Sequence, residues 1–130
     1  MKKLGVVVFV LSLVLMGTAF QSDRGKKVAK NEDCFTVTLN TKGIVIPADP
    51  NSIEVHWRND CTTKMDLKYA FSRRDGTWNI ATRYDIAPNS EVQASCENGT
   101  GAFRIWARPS SQSSTVIFPS DDDIRNGRVK

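Results

Sequence analysis

Hydrophobic and polar side chains take turns along most of the chain beyond residue 34. Phe35, Val37 and Leu39 alternate with Thr36 and Thr38, and Ile53, Val55 and Trp57 with Glu54, His56 and Arg58. Met65, Leu67, Tyr69 and Phe71 alternate with Lys64, Asp66 and Lys68. Successive side chains of a strand point to opposite faces, so a period of two predicts antiparallel strands with one face on a core and the other in water. Gly43 ends the first run before Ile44-Val45-Ile46, and Pro47 to Ser52 is rich in turn residues. Asp75-Gly76 predicts a hairpin with a type I′ turn, whose return strand carries Trp78 and Ile80 and reaches Tyr84 and Ile86. Val92, Ala94 and Cys96 mark another strand, and Asn98 to Gly101 turns the chain into Ala102–Ala107. Thr115 to Phe118 is a last short strand, β-prone enough to need a paired or covered position. No later window shows a sustained helical period. The expectation is an all-β fold, a small antiparallel sandwich or barrel of seven to eight short strands over residues 34–118. Pro119, the Asp121-Asp122-Asp123 run and the rest of 119–130 read as a polar tail.

The first residues follow a different rule. Met1-Lys2-Lys3 is cationic, and Gly5 to Phe20 runs without a charge. With the small exit Gly17-Thr18-Ala19, this describes a secretory signal peptide cleaved after Ala19, with an uncleaved anchor as the alternative, although the run is short for a membrane span. Residues 20–33, polar and basic, read as a flexible leader. The expected destination is the periplasm or the medium, with no stable membrane insertion after processing.

That destination changes the meaning of the three cysteines, because thiols pair outside the reducing cytosol. Cys61 and Cys96 each end a predicted strand, so Cys61–Cys96 is the expected disulfide; Cys34–Cys61 and Cys34–Cys96 stay open as alternatives. Composition excludes several function classes. Without Lys2 and Lys3, 16 basic side chains face 14 acidic ones, too even a balance for a dedicated nucleic-acid binder. One histidine and three cysteines at these spacings do not make a zinc site, and contiguous aspartates lack the spacing of a calcium loop. No cofactor or metal is expected. Asn98-Gly99-Thr100 matches a glycosylation pattern but reads as a turn.

From Trp57 to Ala107 the chain resembles a family of uncharacterised bacterial extracytoplasmic β-rich domains of unknown function. The resemblance is carried by Arg58-Asn59-Asp60-Cys61, Leu67-Lys68-Tyr69-Ala70, Asp75-Gly76-Thr77-Trp78, Ile86-Ala87-Pro88 and Phe103-Arg104-Ile105-Trp106-Ala107. It implies a β fold and export, and it implies no reaction.

Two sets of residues carry candidate chemistry. Trp106 and Arg104 share a phase opposite to Phe103, Ile105 and Ala107, so with the latter facing inward they would form an exposed aromatic–cation pair for a protein or glycan ligand, joined by Trp78 beyond its turn. Glu54, His56 and Arg58 share one strand face about 7 Å apart, the parts a small secreted ribonuclease uses, although a solvated strand face has the same look. No nucleophile elbow or phosphate loop is present. The expected function is a non-catalytic binding or structural role in the cell envelope. A periplasmic inhibitor or immunity-type protein, or a ribonuclease-like hydrolase, are the alternatives.

Overall fold

The computed structural model describes residues 27–28, 33–43 and 49–129. The signal peptide, the leader apart from residues 27, 28 and 33, and the run Ile44 to Ala48 lie outside the described residues.

The fold is all-β. Among the described residues eight strands, β1 (Lys27–Val28), β2 (Phe35–Lys42), β3 (Ile53–Asn59), β4 (Met65–Arg73), β5 (Trp78–Ile86), β6 (Glu91–Cys96), β7 (Gly99–Pro109) and β8 (Val116–Ile117), precede one short α-helix, α1 (Asp121–Arg125). Six strands make two antiparallel sheets of order β2-β3-β6 and β5-β4-β7, while β1 and β8 form a small parallel pair. The sheets face each other over a core of Val55, Trp57, Leu67, Tyr69, Phe71 and Ile105. Trp57 is its hub, stacked on Tyr69 at 5.4 Å between ring centroids and meeting Phe103 edge-on at 5.5 Å.

The alternation holds in β3, whose Ile53, Val55 and Trp57 are buried. It is altered in β2 and β4. A bulge between Val37 and Leu39 keeps Val37 opposite Trp57 but sets Leu39 opposite His56. One extra residue exchanges the two faces, so Leu39 leaves the apolar face that it shares in sequence with Phe35 and Val37. In β4 the face expected to be wet is dry: every residue from Met65 to Phe71 is buried. Ala70 and Trp106 on that outer face are covered by Ile124, with Trp78, Ile80, Val116, Phe118 and Val129 packed around them. Residues 119–129, expected as a polar tail, are therefore partly a third layer. Ser120 caps α1 by accepting the Asp123 N–H at 3.1 Å, and three aspartates occupy the first turn, where the helix dipole favours them.

Burial of that face demands partners for its charges. Lys68 Nζ donates to the Pro119 carbonyl at 2.7 Å and to Asp121 at 2.6 Å. Asp66 accepts from Arg108 Nε at 3.0 Å, Ser110 Oγ at 2.7 Å and the Asp85 backbone N–H at 3.0 Å. This last bond holds Asp85 at a positive φ of 56° at a bulge of the β4–β5 ladder. Arg108 also lies 4.4 Å from the Phe118 ring centroid.

The Asp75-Gly76 hairpin is present, but with different turn chemistry from the predicted type I′. Only Gly76 has a positive φ (85°), and the Gly76 N–H bonds back to the Arg73 carbonyl, which describes a type I turn followed by a left-handed residue. At the sheet crossover from β6 to β7, a Cβ on Gly99 would sit 2.5 Å from Ile53 Cδ1, so glycine lets the chain cross flush against the core.

The disulfide joins Cys34 to Cys61, and Cys96 is a buried free thiol, so the expected Cys61–Cys96 pairing is corrected. Register supplies the reason. Phe35 pairs with Asn59 and the Asp60 N–H bonds to the Cys34 carbonyl, bringing Cys34 and Cys61 to 5.1 Å between Cα atoms. Cys96 pairs with Ile53 at the other end of β3. Cys96 ends β6 and Cys61 lies two residues beyond β3, at opposite ends of the same ladder.

Candidate functional site

The outward side chains of β3 gather as the alternation predicts, and β6 adds a member that the sequence does not single out. His56 Nε2 meets Glu54 Oε1 at 2.5 Å, and His56 Nδ1 meets Glu91 Oε1 at 2.6 Å. Glu91 also accepts from Thr38 Oγ1 at 2.8 Å, so the network spans all three strands of the sheet. Arg58 turns away to Asp60 at 2.6 Å, and Thr36 also donates to Asp60. Glu91 reaches this group because it stands opposite Arg58 in the β3–β6 ladder, a register that no single strand's pattern reveals.

Chemically this is a charge-paired face. Both ring nitrogens of His56 are held by carboxylates, leaving neither free to take a substrate proton, and Glu54, Glu91 and Asp60 outnumber His56 and Arg58. An electronegative cluster does not gather phosphate.

The hydrogen bonds to Glu54 and then Glu91 raise the His56 pKa above its ordinary 6.5. Those from Thr38 and His56 lower that of Glu91 below 4.5. The histidine contribution is complete below pH 6.5 and disappears as pH rises through its folded pKa; that of Glu91 is present above pH 4.5 and disappears in acid. The melting temperature should therefore fall as pH rises from 6 towards 9, read by circular dichroism, and His56→Gln should flatten that alkaline limb. An equally steep alkaline limb in the variant would assign it elsewhere.

The other candidate residues lie across the sandwich. Trp106 is 2% exposed beneath Ile124, so it offers no flat face for stacking, which corrects the expected exposed aromatic–cation pair. Phe103, Ile105 and Ala107 do face the main core as that expectation required; the third layer covers what they leave behind. Trp78 belongs to the same outer cluster, away from Arg104 in the ladder, where Arg104 stands opposite Ala70. Arg104 is exposed, and its guanidinium donates to the Val129 carbonyl at 2.7 Å.

Arg104 does border a cavity. A groove of about 480 Å³ lies between the sheets, lined by Phe35 and Val37 of β2, Trp57 of β3, and Phe103, Arg104, Ile105 and Trp106 of β7. That volume lies in the range of small-ligand clefts, roughly 300–1,000 Å³. Within each sheet β2 and β7 pair on one side only, so the groove opens where two edge strands leave the sandwich unsealed. On the opposite side β5 and β6 approach each other, tied by Asn79 Nδ2 donating to the Ser95 carbonyl at 3.2 Å. Beyond that tie, a second depression is lined by residues including Arg83, Glu91 and Tyr84, the last 63% exposed.

Trp57 lines the first groove and carries the one buried side-chain polar atom without a hydrogen-bond partner among the described residues, its indole N–H. A buried donor left unmade is unfavourable by about 1–3 kcal/mol, and native proteins rarely keep one without a use. Phe35 and Val37 were legible as apolar positions, but their role as a groove wall depends on how far β2 stands from β7, which one strand's sequence does not encode. No helix of the described residues is long and apolar enough to cross a membrane, and no group of three or more metal-binding side chains occurs among them. No protein-family model, curated protein or solved structure matches the chain.

Proposed function

We propose that this chain is an exported, non-catalytic binding domain of the cell envelope whose ligand site is the groove between β2 and β7. The observation that carries this reading is the unsealed side of the sandwich. The exposed Val37 and half-buried Phe103 present apolar surface there above the buried Phe35, Ile105 and Trp57, and one cation, Arg104, stands at the rim. Exposed apolar surface beside a few polar groups is the usual make-up of a recognition site. The cationic start and apolar run of the signal-like residues 1–19 and the Cys34–Cys61 bridge support export. The resemblance of residues 57–107 to extracytoplasmic domains points the same way.

An apolar aromatic anion tests the groove directly. Anilinonaphthalene sulfonate should bind the folded domain saturably at one site, with the fluorescence rise lost in Val37→Glu, whose melting temperature should stay close to the parent's because Val37 is 43% exposed. Absence of saturable binding by the parent, or equal binding by a folded Val37→Glu variant, would remove the groove as the site.

A further inference from the structure

Four consecutive residues of β7, Phe103 to Trp106, line the groove. Neighbouring side chains of a strand project to opposite faces, so a cavity touched by four in a row runs along the strand's edge, against its main chain. That edge is free: among the described residues β7 pairs only with β4, and no backbone hydrogen bond reaches Arg104, Ile105 or Trp106 from another segment. The wall opposite is the inner face of β2, where Val37 stands opposite Trp57.

We infer, resting on the binding role proposed above, that the groove receives an extended segment of a partner protein as an added fourth strand on β7, and that this segment alternates apolar and acidic residues. The main chain of β7 supplies the N–H and C=O groups that recruit a strand in β-augmentation. Side chains of the added strand that point inward enter the space bounded by Phe35, Val37 and Trp57, where apolar groups find apolar partners. Side chains that point outward share the face of Arg104. Arg104 is bound to a neutral backbone carbonyl and has no carboxylate within ion-pair distance among the described residues. A Glu or Asp opposite it on the new strand completes a cross-strand charge pair. Apolar inward and acidic outward, in strict alternation, is the pattern that such a slot selects.

The test uses capped seven-residue peptides alternating leucine and glutamate, titrated into the full mature chain by calorimetry and by nuclear magnetic resonance. The acidic peptide should bind at least tenfold more tightly than its leucine–lysine twin, and Arg104→Glu, at an exposed position that should leave the fold intact, should reverse the order. In the parent protein, a peptide N-methylated along the edge that meets β7 should lose binding, while one methylated along its other edge should keep it. Equal binding of both methylated peptides would overturn strand addition, and an unreversed preference in Arg104→Glu would overturn the acidic pattern. If the parent binds anilinonaphthalene sulfonate at one site that Val37→Glu abolishes, yet takes no peptide, the groove remains a binding site and the inferred partner is wrong.

Discussion

Cys34→Ser and Cys61→Ser should each lower the melting temperature by roughly 15–25 °C, and reductant should have the same effect on the parent chain. The bridge links residues 27 positions apart, a loop whose closure constrains the unfolded chain by about 3.5 kcal/mol in the chain-entropy model. The native contacts around it need little adjustment. Asn59, fully buried, accepts the Cys61 N–H at 3.0 Å and donates to the Thr63 and Ile86 carbonyls, so the crossover beneath the bridge keeps its own ties. Cys96→Ala should be much milder, because that thiol forms no bridge and donates only to the neighbouring Glu97 carbonyl at 3.3 Å. Thiol titration provides the second readout: the parent should show no reactive thiol when native and one when unfolded without reductant. Two reactive thiols after unfolding Cys96→Ala, or a melt insensitive to Cys34→Ser, would refute the pairing.

Arg108→Ala should lower the unfolding free energy by about 3–5 kcal/mol, measured by urea denaturation at neutral pH. Asp66 is 2% exposed, and removing Arg108 leaves its charge in a dry layer. Burial alone would raise the Asp66 pKa, but Ser110, the Asp85 N–H and Arg108 together outweigh it and hold the carboxyl below the ordinary 3.8. The deficit of the variant should shrink on acidification, since a protonated Asp66 no longer needs a cation. A loss below about 1 kcal/mol would mean that the carboxylate is solvated as a surface pair would be. The substitution also removes the cation from the Phe118 ring and the donor that meets the Val116 carbonyl at 2.8 Å, so β8 and the third layer should loosen with it.

The all-β architecture was legible because burial on one face writes a period of two into β3 and the inward half of β4. What was hidden has a common cause: it depends on neighbours that a strand's own pattern does not name. Lys68 and Asp66 look like solvent-facing residues in sequence, and only the return of Pro119, Asp121 and Ser110 over β4 makes them internal. Ala70, out of phase with the core set, was the faint sign of that second dry face. The same return covers Trp106 and changes an expected binding platform into a packing residue. Glu54 and His56 were placed together by strand geometry alone, whereas Glu91 came from inter-strand register. The bulge after Val37 exchanged the faces of β2 without a glycine or proline to announce it. Arg104 illustrates both halves: its phase marked it as outward-facing, and the free edge beside it became visible only once β2 and β7 were seen not to pair.

The position of Cys96 also bears on how the chain reaches its final state. Of the three single bridges that three cysteines allow, only Cys34–Cys61 joins sulfurs that lie at the same end of β3; the other two join opposite ends of the finished ladder. A chain oxidised before β3 has found both neighbours can close either wrong bridge, and such a chain is a kinetic trap released only by thiol–disulfide exchange, over seconds to hours. Once β6 has docked, burial withdraws the third sulfur from that exchange. Oxidation that outpaces strand docking therefore diverts the chain from the Cys34–Cys61 pairing, whereas docking first protects it.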